Sequence, residues 1–164
     1  RDFDLFRKFE NNKVNNIDES EYILCSGLFE EHENNLEYYK NFLSTQISKK
    51  MICTNPDLIV DRGNKREYCA GSIAKSFEEI DGEVIYFGKP YPPVYELADQ
   101  VKDKKILCIG DNLNTDIKGA MTQNFDSLLI TGGIHRQEIS NFSIENVLKN
   151  YDAKINYFQS ELKW

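Results

Sequence analysis

Short apolar runs alternating with helix-patterned stretches of about ten residues predict an α/β fold on a mainly parallel sheet. Three observations carry that expectation. Residues 21–26 (EYILCS), 50–54 (KMICT), 83–88 (EVIYFG), 104–110 (KKILCIG) and 126–133 (DSLLITGG) are apolar runs of strand length. The stretches between them have helical spacing; in residues 35–50 Leu36, Tyr39, Phe42, Leu43 and Ile47 fall on one face. The punctuation also fits, because Asn55-Pro56 closes one run, and Pro56 lacks the donor that a central strand needs.

Taken in order, residues 57–68 (DLIVDRGNKREY) read as strand or loop with a turn at Gly63-Asn64. Residues 69–80 read as a helix ending at Asp81-Gly82, and residues 92–104 as a helix with prolines in its first turn, where a missing N–H costs nothing. Helices follow over 115–124 and 143–151, and residues 155–164 form a last short element. Phe3, Phe6 and Phe9 suggest another helix near the amino terminus. A seam is expected near Gly82 to Gly88, where a helix end meets a new strand.

With 40% apolar and 12% aromatic residues, the 164-residue chain can bury a core and is not expected to be disordered. A formal net charge of −7 repels nucleic-acid phosphates and anionic lipid, so neither is expected as a partner. No apolar run reaches the ~20 residues of a membrane helix, and no leader pattern is seen. Cys25, Cys53, Cys69 and Cys108 form no CxxC pair and three sit in apolar runs, so buried, reduced thiols and a cytoplasmic location are expected. His32 and His135 lack ligand-spaced partners, which argues against structural zinc.

Two segments carry chemistry. In residues 106–120 (ILCIGDNLNTDIKGA) a buried strand runs into Gly110-Asp111 and a helix begins near Thr115-Asp116. Ligands of open α/β sheets sit at the carboxyl ends of strands, and a carboxylate there can hold a hard cation such as magnesium. The plainer alternative is a turn at Asp111-Asn112 with Thr115 or Asp116 as helix cap. In residues 86–90 (YFGKP) a strand ends in Gly88, followed by Lys89, which can neutralise phosphate charge. With one helix between them, the two strands are expected to be neighbours, bringing Lys89 and Asp111 to one sheet edge.

Together, GKP and GDNLNTD resemble motifs III and IV of the haloacid dehalogenase superfamily. Residues 54–57 (TNPD) are similar to the nitrophenylphosphatase-like branch, class IIA, which inserts a large α/β cap before those motifs. YCAG, DSLLITGG and the closing LKW fall in family order, so the resemblance covers most of the chain. It implies a Rossmann-like parallel sheet, present as a partial core, with an α/β cap: residues 1–83 as most of the cap and 84–164 as the carboxyl-terminal half of the core. It further implies a Mg²⁺-dependent phosphohydrolase acting on a small phosphorylated metabolite through an aspartyl-phosphate. Asp111 would bind Mg²⁺ directly, and Asp116 would support the metal from behind or through water. Lys89 would stabilise the nucleophile and the transferring phosphoryl group. Gly110, Asn112 and Thr115 would shape the loop, and Asn55 and Asp57 would lie in a cap segment facing the substrate, although a strand-ending turn accounts for that pair equally well.

The family nucleophile, the first Asp of an Asp-x-Asp-Gly loop after a buried strand, has no counterpart in context. Asp2-Phe3-Asp4 has the letters without the strand or glycine, and a helix leads into Glu79-Ile80-Asp81-Gly82. Ser26 and Thr54 each follow an apolar run, but both positions fall within the cap. The chain is therefore expected to begin near the start of the cap, to end at a complete carboxyl terminus, and to be inactive alone. A complementing amino-terminal chain or homo-oligomer would cover its exposed sheet edge. A noncatalytic remnant or interaction module is the alternative. A nucleotide-binding domain ranks last, since no Gly-rich phosphate loop occurs.

Overall fold

The computed structural model describes residues 6–98 and 104–163. The chain divides into two compact units: residues 1–58 with 68–86, and residues 59–67 with 87–164. The fold class is α/β with parallel sheets.

The first unit is a three-stranded parallel sheet, ordered β1 (Tyr22–Cys25), β2 (Lys50–Cys53), β5 (Glu83–Tyr86). Helix α1 (Leu36–Leu43) links β1 to β2, and α2 (Ala70–Glu78) leads into β5. Strand pleating sends alternate side chains to opposite faces. Met51 and Cys53 of β2 and Cys25 of β1 point into a core with Tyr39, Leu43, Ile73, Ala74 and Phe77. On the other strand positions Tyr22, Leu24 and Ile85 remain exposed. Parallel sheets usually have both faces covered, so this one-sided sheet leaves an apolar row uncovered by its own unit.

The helical face expected over residues 35–50 is only half buried. Tyr39 and Leu43 are in the core, but Phe42 and Ile47 are exposed. The α-helix stops at Leu43 and tightens into a 3-10 turn, Ser44–Gln46. Ser44 Oγ donates to the Asn41 carbonyl at 2.8 Å, a local bond that competes with continuing the helix. The tighter turn carries Ile47 out of line and buries Gln46, whose amide donates to Asp18 Oδ1 at 2.6 Å.

The second unit holds the parallel sheet β6 (Leu107–Gly110), β7 (Asp126–Ile130), β8 (Tyr157–Gln159). It also holds α3 (Pro92–Ala98), α4 (Lys118–Gln123), α5 (Arg136–Phe142) and α6 (Ile144–Asn150). Leu113, Ile117, Leu129 and Val147 form its core. Residues 59–67 contribute most of a hairpin of β3 (Ile59–Arg62) and β4 (Lys65–Tyr68), turned at Gly63 with φ +59°.

One expectation fails here. The strand before Lys89 is not the neighbour of the strand before Asp111: β5 pairs with β2, and β6 with β7. Parallel pairing is long-range, so adjacency in sequence does not by itself choose the strand partner. Helix α5 was not expected, being seven residues long and ended by Ser143 at φ 67°. The expected helix over 92–104 is seen to Ala98, with 99–103 outside the described residues, as are Asp2, Phe3 and Asp4.

The four cysteines are thiols outside any disulfide; Cys25 and Cys53 are buried, whereas Cys69 and Cys108 are only half-buried. Burial pushes Cys25 from its ordinary 9.0 up to about 12 and Cys53 up to about 11. A raised folded pKa stabilises the fold below the unfolded value and loses that stabilisation as pH climbs through the folded value. The urea midpoint should therefore fall as pH rises above 9.0 toward 12, and iodoacetamide at pH 8 should modify Cys25 and Cys53 only after unfolding. Gly71→Ala should lower stability by about 1–3 kcal/mol in urea titration, because its Cβ would lie 2.2 Å from the Pro56 carbonyl oxygen, a backbone atom that cannot swing aside.

Candidate functional site

Strand β6 ends in Gly110, and the chain then makes a tight loop, Asp111-Asn112, into a π-helical turn, Leu113–Ile117, that continues as α4. The wider turn sends the amides of both Asp116 and Ile117 to the Asn112 carbonyl, at 3.0 and 3.1 Å. Asn112 caps the turn, its side chain accepting from Asn114 N–H at 2.9 Å. The expected caps, Thr115 and Asp116, lie inside the turn and are buried.

Asp116 instead reaches back under the loop. Its Oδ2 accepts from the backbone amides of Asp111 and Asn112, each at 3.1 Å, and its Oδ1 is ion-paired with Lys89 Nζ. The carboxylate is 9% exposed and the lysine 47%. Its negative charge is thus offset by one ammonium and two amide donors, which permits burial. Gly110 makes this possible, since a Cβ there would sit 2.1 Å from the Asp116 carboxyl carbon. Nearby, burial first and then Cys108 and Asp116 push the Tyr95 hydroxyl up to about 12.

Asp111 is held from the other side. Its Oδ2 accepts from Ile134 N–H at 2.9 Å, in the loop after β7. A Cβ at Gly133 would lie 2.1 Å from that oxygen, so the approach needs glycine. The Ile134 carbonyl accepts from Arg66 at 3.0 Å, and Arg66 forks onto both oxygens of Asp61 at 2.8 and 3.1 Å. Hydrogen bonding to Arg66 holds the Asp61 carboxyl below its ordinary value. Arg66 therefore links Asp61 of the hairpin to the Ile134 carbonyl.

His135 is the residue that sequence reasoning most undervalued. It is 8% exposed; its Nε2 accepts from Leu113 N–H at 3.2 Å and its Nδ1 lies 2.9 Å from Glu138 Oε2. The sequence signal was the spacing His135-x-x-Glu138, one helical turn apart.

Lys89, Gly110, Asp111, Asn112, Thr115 and Asp116 thus belong to one continuous locality of the second unit. Asn55 and Asp57 belong to the first unit, where they make a turn against the start of α2: Asn55 Oδ1 accepts from Asp57 N–H at 3.2 Å, and Gly71 N–H donates to the Asp57 carbonyl at 3.2 Å. Among the described residues no three His, Cys, Asp or Glu side chains converge as a metal cage. A lone carboxylate such as Asp111 could hold a hard cation such as magnesium more readily than zinc, which needs several protein ligands. Asp116, already saturated by its donors, suits a supporting role rather than direct ligation. Also among the described residues, no helix is long and apolar enough to cross a membrane.

Residues 86–152 match the HAD-hydrolase-like family. The chain is 29% identical over 89 residues to the ribonucleotide monophosphatase NagD of Escherichia coli (strain K12), covering 52% of this chain and 34% of that protein. It is equally identical, over 89 residues, to the dihydroxyacetone phosphatase of Corynebacterium glutamicum (strain R), covering 52% and 32%. A haloacid dehalogenase-like hydrolase from Brucella suis superposes with a TM-score of 0.67 at 32% identity, covering 75% of this chain and 51% of that one. The p-nitrophenyl phosphatase from Archaeoglobus fulgidus, at 20% identity and a TM-score of 0.61 over 87% and 54%, shares the fold. The chain spans about half the length of these structures and a third of the curated relatives it matches.

Asp116→Ala should cost about 2–4 kcal/mol in urea unfolding, because it strips a shared acceptor from two loop amides. The half-exposed Lys89 adds little to that figure. Asp111→Asn should stay within about 1 kcal/mol of the parent, since its side-chain carbonyl can still accept from Ile134. Equal losses in the two variants would contradict this division of roles.

Proposed function

We propose that the chain is a haloacid dehalogenase-like hydrolase of the class IIA branch, with the nitrophenylphosphatases, and that it supplies one side of a Mg²⁺-dependent phosphomonoesterase site. The observation that supports this best is the Asp116 carboxylate, which orients Lys89 and the Asp111 loop together at the end of β6. In this reading Lys89 offsets negative charge on the phosphoryl group and the attacking carboxylate. Asp111 holds the metal, with Asp116 organising both from behind. Magnesium, when bound, would neutralise phosphate oxygens in the transition state.

Residues 1–83 would form most of the cap and 84–164 half of the catalytic core, with Asn55 and Asp57 facing substrate from the cap. The substrate class is a small phosphorylated metabolite. The relatives' names, a ribonucleotide monophosphatase and a dihydroxyacetone phosphatase, support a phosphomonoester without choosing between nucleotide and triose. The reduced thiols and acidic surface suit a cytoplasmic protein with no nucleic-acid or membrane partner. Among the described residues no strand runs into an Asp-x-Asp pair. The nucleophile would therefore come from an amino-terminal segment or a complementing chain. The same observation favours a second reading, a noncatalytic interaction module on this fold.

The 164-residue chain alone should hydrolyse no p-nitrophenyl phosphate above background with Mg²⁺. Joined to a segment carrying strand-Asp-x-Asp-Gly, it should turn over, and Lys89→Ala or Asp111→Ala should lower kcat by about 10²–10³-fold. Turnover by the chain alone that Asp111→Ala abolishes would refute the need for a second part. A full rate in the joined Lys89→Ala protein would remove Lys89 from the mechanism. No turnover in any joined form would favour the noncatalytic reading.

A further inference from the structure

We propose that His135 is a positioning residue for the Asp111 loop, acting as the neutral tautomer with its proton on Nδ1. The hydrogen bonds fix that tautomer. Leu113 N–H is a backbone amide and can only donate, so the Nε2 it meets at 3.2 Å must offer a lone pair. The ring proton then sits on Nδ1 and is donated to Glu138 Oε2 at 2.9 Å. The His135–Glu138 contact is thus a hydrogen bond from a neutral imidazole, not an ion pair.

Glu138 is itself held. Its Oε2 also accepts from Tyr151 Oη at 3.1 Å, and the Tyr151 ring meets the imidazole edge-to-face with centroids 4.8 Å apart. Burial, and then that bond to Glu138, push the Tyr151 hydroxyl above its ordinary value, so it stays a donor. The relay runs Tyr151 to Glu138, His135 to Glu138, and Leu113 to His135. Its last bond grips the chain two residues past Asp111. The neighbouring residue, Ile134, grips the Asp111 carboxylate itself. One short loop between β7 and α5 therefore fixes both the backbone and the side chain of the cation-facing segment. A buried amide at Leu113 would otherwise lack its acceptor, and the turn could relax toward solvent.

The coupling to a metal rests on the proposed function; the tautomer and the loop order do not. Long-range ¹H–¹⁵N spectra of the full chain should show His135 as the Nδ1–H form near neutral pH, with Nε2 unprotonated. His135→Gln places a carbonyl oxygen near the Nε2 position and should keep the Leu113 amide protected from exchange. His135→Asn places its oxygen near Nδ1 instead, and exchange at Leu113 should accelerate by at least about tenfold, while the core amide of Val147 keeps its protection. An Nε2–H tautomer, or equal Leu113 protection in the Gln and Asn variants, would overturn the proposal. Mn²⁺ titration followed by electron paramagnetic resonance gives the metal arm: His135→Asn should weaken binding by about 10–100-fold and His135→Gln by much less. Unchanged affinity in His135→Asn would overturn the link to Asp111. Failure of the parent chain to bind Mn²⁺ would count against the metal reading alone, with the tautomer and exchange results still deciding the role of His135.

Discussion

The buried carboxylate of Asp116 is the constraint on which the site depends. It is shared by an ammonium and two consecutive amides, so one side chain sets the backbone course of Asp111 and Asn112 and the direction of Lys89. A buried anion is tolerated only when its oxygens are this fully met. The π-helical turn follows from the same need, since it brings Asp116 around to face the loop it came from. Gly110 and Gly133 keep clear the two approaches that any side chain would block.

Much of this was legible in the sequence, for identifiable reasons. Strand cores are runs of consecutive apolar residues, and β1, β2, β5, β6 and β7 each lie inside a run read as such. Lys89 and Asp111 stood out because each directly follows a glycine at a strand end, where α/β sheets present ligands, whereas Asp116 stood out only as an acidic residue near a helix start. The strand partners were not legible. Parallel pairing is long-range, and nothing local in EVIYFG says that its partner is KMIC rather than KILC. The inner mechanics of the loop were hidden likewise. Asp116 as acceptor for amides four and five residues back depends on a turn wider than an α-helix, which residue spacing alone does not reveal. His135 is a lone histidine in sequence, and its meaning comes from Leu113, which is twenty-two residues away.

The two sheets handle their apolar surface differently. In the first unit α1 and α2 cover one face, and Phe77 fills the space that Gly82 leaves. Tyr22, Leu24 and Ile85 on the other face stay in contact with solvent in the described chain. In the second unit Leu107 and Ile109 of the edge strand β6 are similarly exposed, beside the end of the strand that carries Asp111. Exposed apolar rows on parallel strands carry a solubility cost.

The hairpin between β3 and β4 has a consequence for dissecting the molecule. Its residues, 59–67, lie in the middle of the first unit's sequence yet belong to the second. The polypeptide therefore passes from one unit to the other three times, after Leu58, after Glu67 and after Tyr86. A gene fragment opening at Phe87 would encode the loop of Asp111 without Arg66, the side chain that secures the Ile134 carbonyl behind it. Neither half can be cloned as a continuous stretch and remain whole, so domain swaps among relatives would have to carry the hairpin along as a separate graft.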